Sequence, residues 1–293
     1  MAARGSGGLF LCMGLLLAMP ALAATPTDRG ECAASADKPD VGFAACSRIM
    51  ADANVSVAER VKAFKNRGRG SFNSKDYDRA IADYGEAIKL SPKDARAFAH
   101  RCEAYESKED HDTAITDCTE AIKIDPKYGW AYNNRGVAYY GLHEYDAALA
   151  DHAEAIRVNS RDAWAYARRG MAWTEKGEFD QAVADITEAV TIDPRYAFGF
   201  GQRGQALFRK RLITKKGGWE PAIADYSEAI KLDPICFGCT ARVACLQQQS
   251  PIRPRRSGLQ RGHQARTQKF RRVQLPRRRL RRLEGLSPRD RRL

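Results

Sequence analysis

The chain is poor in the residues that carry most enzyme chemistry. Its 293 residues include five histidines, scattered at His100, His111, His143, His152 and His263. His152 falls on the packing face of a helix-like stretch and reads as a core residue, not a ligand. No convincing strand pattern is present, so no Gly-rich phosphate loop follows a strand. The pair Cys236-x-x-Cys239 with Cys245 is half of a metal site without a second pair at suitable spacing. These absences exclude a recognisable catalytic constellation, and neither a cofactor nor a metal is expected. Glu103, Glu106, Glu109 and Asp110 cluster, but charges at helical spacing read as a solvated face. Long apolar runs are also missing apart from Leu9–Met19, which is too short to span a bilayer comfortably.

One pattern is present five times. Pieces of the form Glu-Ala-(Ile/Val)-x-(Leu/Ile/Val)-x-(Pro/Ser) begin at Glu86, Glu120, Glu154, Glu188 and Glu228. The first four are spaced by 34 residues, and the fifth follows after 40. A fixed period of this size means a stacked repeat array. Each unit divides into two amphipathic stretches. In the third unit these are Trp130–Leu142 and Asp146–Val158, with Ala148, His152, Ala155 and Ile156 on one face of the second. The Pro that closes most units sits where a helix cannot continue.

Counted from Val61, Ala95, Gly129, Ala163 and Ala197, an early aromatic recurs as Phe64, Phe98, Tyr132, Tyr166 and Phe200. A small residue follows four positions later as Gly68, Cys102, Gly136, Gly170 and Gly204. Alanine pairs recur in the second stretch, from Ala80/Ala87 to Ala222/Ala229. On these residues the chain resembles a tetratricopeptide repeat (TPR) protein, of an exported bacterial type, over roughly Val61–Pro234. The resemblance implies an all-α fold, a right-handed α-solenoid of helix-turn-helix repeats. Small residues at the helix crossings let two backbones approach closely. Ser160 replaces the terminal Pro in unit three, Cys102 replaces Gly in unit two, and the fifth turn is expanded over Arg209–Trp219.

The organisation expected is a signal peptide over 1–23, an N-terminal cap over 24–60, five repeat units over 61–235 and an Arg/Pro-rich disordered tail over 236–293. Arg4, the apolar run and Pro20-Ala21-Leu22-Ala23-Ala24 have the order of a secretory signal, with cleavage after Ala23. This predicts a periplasmic or secreted protein with no stable membrane span after cleavage. Terminal repeats expose an apolar face and need a cap, and Phe43–Met50 is expected to form a short helix there. In an exported chain Cys32 and Cys46 are candidates for a disulfide. The resemblance places Cys102 and Cys118 on facing helices of unit two, where a bridge and a pair of small hydrophobic thiols are both open readings.

Net charge is +13, but it is unevenly placed. From Arg242 onward the tail carries 17 Lys/Arg against Glu284 and Asp290, which leaves the rest of the chain near neutral. One reading is a basic arm for nucleic acid or an anionic membrane, although Phe270 is its lone aromatic past Phe237. A second reading is a lost reading frame. Codons for Gln260–Arg266, shifted by one base, can spell Asn-Glu-Ala-Ile-Lys-Leu. Those for Gln274–Leu293 can spell a near copy of Asn134–Asp151. The array would then continue beyond a frame change between about Cys236 and Cys245, and codons incompatible with the shifted reading would exclude this.

The function implied by the resemblance is binding of a peptide or partner protein in the groove formed by first helices. Carried over by position, the groove residues are Lys65, Arg69, Trp130, Asn133, Val137, Tyr140, Trp164, Ala167, Met171, Phe198 and Gln205. The set does not match the Lys/Asn/Arg carboxylate clamp of TPR co-chaperones. Trp130, Trp164 and Phe198 occupy one position in consecutive units, as binding anchors or as packing between repeats. A regulatory, non-catalytic subunit of an enzyme complex is the alternative to a free-standing scaffold.

Overall fold

The computed structural model describes residues 23–234. Apart from Ala23, the signal-peptide reading lies outside these residues, as does the whole of the tail reading. Among the described residues all regular structure is helical. Helices α1 (Pro26–Ala33) and α2 (Pro39–Ala51) form a leading hairpin. Five further pairs follow: α3 (Val57–Asn73) with α4 (Tyr77–Leu90), α5 (Ala95–Glu106) with α6 (His111–Ile124), and α7 (Gly129–Gly141) with α8 (Tyr145–Val158). The last two are α9 (Ala163–Lys176) with α10 (Phe179–Ile192), and α11 (Ala197–Thr214) with α12 (Glu220–Leu232).

The helix starts are encoded locally. Asp76, Asp94, Asp110 and Asp162 each accept a backbone N–H of the first turn through the side chain, which satisfies donors that a helix start leaves open. Each turn within the first four pairs needs one residue in the left-handed region. Lys75, Glu109 and His143 fill that position at φ 63°, 62° and 62°, and Gly177 fills it at 82°. Only the glycine adopts this conformation without a steric cost.

The contacts define the layers. Every helix packs on its neighbour in sequence. In addition α1 touches α3, α3 touches α5, α5 touches α7, α7 touches α9 and α9 touches α11. No such contact joins one second helix to the next among the described residues. The first helices therefore crowd together on the inner side and the second helices spread on the outer side. The result is an α-solenoid whose inner, concave wall is made of first helices.

Within each pair the crossing is filled by a small residue against a larger one. A Cβ added at Gly68 would lie 2.9 Å from Tyr84, at Gly136 2.8 Å from His152, at Gly170 2.4 Å from Ile186, and at Gly204 3.0 Å from Tyr226. Unit two solves the same problem with two medium residues. Cys102 and Cys118 hold these positions, both fully buried and joined by a disulfide with Cα atoms 5.5 Å apart.

A second element repeats with equal regularity. Arg67, Arg101, Arg135, Arg169 and Arg203 on the first helices each clasp one carboxylate on the second: Asp83, Asp117, Asp151, Asp185 and Asp225. Each clasp uses two parallel N–H···O bonds of 2.6–2.9 Å, and the aspartate side chains are nearly out of water. In four pairs the partners are 16 residues apart, and in the fifth 22. The six extra residues of unit five thus leave the pair in register. They lengthen α11 to 18 residues and form a loop pinned by Trp219, which packs on Phe208 at 5.3 Å and under Arg211 at 5.2 Å.

The N-terminal segment is more structured than its sequence predicts. It forms two helices where one short one was expected. Cys32 and Cys46 are bonded and buried, with Cα atoms 4.7 Å apart, in a small core with Ala45, Ile49, Val55 and Ala63. The Arg48 guanidinium donates to Asp28 at 2.6 Å and lowers the pKa of its carboxyl to about 2. Because α1 touches α3 as one first helix touches the next, the hairpin stands in the place of a truncated repeat and covers the face that unit one would expose.

Candidate partner-binding face

The inner wall changes character along its length. Between the first two units it opens into a groove of about 990 Å³, floored by Val57, Val61 and Leu90 and edged by Lys62, Lys65, Arg69 and Arg96. Two of these cations are already engaged: Lys65 donates to Asp94 at 2.6 Å and Arg69 to Glu103 at 3.0 Å. Lys62 and Arg96 also stand on this rim and make it basic.

Farther along, the wall is aromatic. Trp130 stacks on Trp164 with ring centroids 6.0 Å apart. The Arg168 guanidinium lies over Trp164 at 4.7 Å and over Phe198 at 5.3 Å, and Tyr196 packs beside Phe198 at 5.8 Å. These rings are half-buried, in contact with one another between repeats and still partly exposed. Packing between repeats therefore does not use up their surface. Burial pushes the Tyr196 phenol up to about 12.

Several expected groove residues hold other places. Asn133 is 1% exposed and Ala167 is 0% exposed, so neither lines the groove. Asn133 donates to Asp162, the cap of α9, at 2.8 Å, and its carbonyl oxygen meets His152 Nδ1 at 3.2 Å. Lys65 binds Asp94, the cap of α5, in the equivalent place. In units one and three this repeat position is a strut to the next unit's helix start, while Ala167 at the same position is too short to be one. Val137, Tyr140, Met171 and Gln205 are half-buried on first helices. The acidic cluster differs from a plain solvated face as well: Glu103 holds Arg69, Asp110 caps α6, and Glu106 is half-buried, where burial raises its carboxyl above the ordinary range.

Sequence reasoning passed over Arg168 and Asn134. Asn134 Nδ2, Trp130 Nε1 and Arg168 Nε are buried donors with no hydrogen-bond partner among the described residues. The signal was present, because Arg168 and Asn134 share one repeat position, four residues after the stacked Trp164 and Trp130.

Among the described residues no group of three or more His, Cys, Asp or Glu is placed to hold a metal ion. No helix there is long and apolar enough to cross a membrane.

Tetratricopeptide repeat family models match this chain over residues 61–94, 103–143 and 133–197. The chain carries tetratricopeptide repeats. Among solved structures it is similar to TTC0263, a thermophilic TPR protein in Thermus thermophilus. That match has 20% identity and a TM-score of 0.55, and covers 64% of this chain and 99% of that one. It is similar also to MamA 41-end from Desulfovibrio magneticus RS-1, with 17% identity and a TM-score of 0.51, over 61% of this chain and 98% of that one. At these identities the likeness shows the fold. No curated protein matches the sequence.

Proposed function

We propose that the array is a protein-interaction scaffold without chemistry of its own, holding an extended segment of a partner protein along its inner wall. The observation that carries this reading is the band formed by Trp130, Trp164, Phe198 and Arg168. Large rings fixed by packing lose little freedom on binding, and Trp, Tyr and Arg dominate interface energetics. Full-length protein isolated from its host tests this. A specific partner should be retained by the unaltered chain and by Glu120→Ala on the outer side, and lost from Trp164→Ala/Phe198→Ala. Equal retention by all three would overturn the reading.

The protein acts outside the cytoplasm in the same proposal. Two buried disulfides suit an oxidising compartment. The residue after the expected cleavage point supports it too: Ala24 donates its backbone N–H to Asp52 at 2.8 Å. After cleavage that nitrogen would be a terminal ammonium, and the contact would become an ion pair. An intact mass beginning at Ala24 is the expected result, and a mass that retains residues 1–23 would overturn it.

A further inference from the structure

We propose that the turn of unit five is a contact site for an anionic lipid surface, into which Leu212 and Ile213 dip while Lys215 and Lys216 meet the headgroups. The site stands at the turn end of α11 and is independent of the inner wall. This turn departs from its equivalents in length, in charge and in apolar exposure. Lys210 holds the register of Lys176, each paired with an aspartate of the preceding second helix, Asp180 and Asp146. Helix α9 stops at Lys176, but α11 continues from Arg211 to Thr214, about 6 Å farther. The other turns within units each carry an acid: Asp76, Glu109, Glu144 and Glu178. From Arg209 to Trp219 the chain has five Lys/Arg and no acid, and the nearest one, Glu220, opens α12.

Ile213 is the most exposed large hydrophobic side chain among the described residues, at 66%, and Leu212 beside it is 36% exposed. Every residue from Leu212 to Gly218 is exposed. The cations divide by position. Arg209 and Lys210 are held by Glu175 and Asp180, and Arg211 lies over Trp219. Lys215 and Lys216, at the tip, have no ion pair among the described residues. Left-handed backbone at Lys215 and Gly217 turns the chain sharply here, so the aliphatic pair and both lysines stay together at one tip. Two aliphatic side chains are too few for the core of a stable protein interface. No ring is offered for base stacking either, because Trp219 is packed on Phe208 and under Arg211. Aliphatic residues among lysines suit a bilayer surface instead. The apolar side chains enter the boundary of the acyl region, and the lysines gain from anionic headgroups.

The test is sedimentation of the full chain with phosphatidylcholine vesicles that contain about one-third phosphatidylglycerol. The tail after Pro234 is basic as well, so every variant retains it and is compared with the unaltered full chain. The unaltered chain should bind. Binding should weaken about tenfold in Leu212→Ser/Ile213→Ser, the scale of two aliphatic side chains withdrawn from the interface. It should weaken about tenfold again in Lys215→Asn/Lys216→Gln, where Asn tolerates the left-handed backbone. The charge-matched control Lys93→Gln/Lys127→Gln, in the turns between units, should stay within about twofold of the unaltered chain, because distant charges are screened. No binding by the unaltered chain overturns the proposal. Equal binding by it and both tip variants overturns it too, and assigns the attraction to another part of the chain. An equal loss in the control variant does the same. A loss in the lysine variant with none in Leu212→Ser/Ile213→Ser also overturns it, because a charged patch that inserts nothing would serve an acidic protein or a nucleic acid as well. If the double serine variant does not fold, Ile213→Ser alone decides the matter, with an expected loss of about fivefold.

Discussion

His152 makes stability depend on pH in a way that one substitution should remove. The ring is 1% exposed, lies over Gly136, and stands 3.2 Å from Asn133 Oδ1 through Nδ1. Burial, with the charges of Arg168 and Arg169, lowers its pKa to about 3 from the ordinary 6.5. The fold thus holds the neutral ring, while the unfolded chain takes up a proton below pH 6.5. Between 6.5 and 3 the unfolded state binds more protons, so stability is complete above 6.5 and declines as pH falls. The slope is about 1.4 kcal/mol per pH unit, or about 2 kcal/mol lost at pH 5. Ile186 fills the same slot over Gly170 without titrating, so His152→Ile is the matched control. Denaturant unfolding at pH 7 and pH 5 gives the loss for each protein, and effects of the remaining groups cancel in the comparison. The unaltered chain should lose about 2 kcal/mol more than His152→Ile. Equal losses in the two proteins would refute the reasoning.

Other outcomes follow from the same packing. Gly170→Ala places a Cβ 2.4 Å from Ile186 and should lower stability by about 1–3 kcal/mol in thermal or denaturant unfolding. Lys75→Gly relieves a left-handed residue and should raise stability by up to about 1 kcal/mol, while Gly177→Ala should lower it, both read by the same unfolding curves. Cys102→Ser/Cys118→Ser opens a loop of 16 residues and leaves two buried hydroxyls, so the unfolding free energy should fall by at least about 3 kcal/mol.

The array was legible in the sequence because its repeat imposes the same steric demand at the same place. Gly68, Gly136, Gly170 and Gly204 are small since a larger residue sits opposite each, and that demand is visible as a period. The Arg–Asp clasp was equally periodic, from Arg67 and Asp83 to Arg203 and Asp225. It went unread because charged residues at helical spacing look like a solvated face until the partner helix is placed. Asn133 and Ala167 were assigned to the groove by position, yet that position borders the next first helix, and a short side chain there is buried by it. Lys65 reaches its strut partner by length alone. Arg168 was passed over, because nothing in the sequence separates it from its neighbour Arg169. On a helix, neighbours in sequence point about a third of a turn apart, so one reaches Asp185 and the other enters the aromatic band. Helix α1 was missed because Pro26–Ala33 is short and weakly apolar, and tertiary contacts with α2 and α3 stabilise it.

The claim that the inner wall holds a partner protein is tested most directly by site-specific photocrosslinking in the native host. A benzophenone amino acid would replace Trp164 on the inner wall in one variant and Lys123 on the outer side in another. A discrete crosslinked protein from position 164, absent from position 123, is the result expected. The same products from both positions, or none from position 164 in a chain that folds, would contradict it.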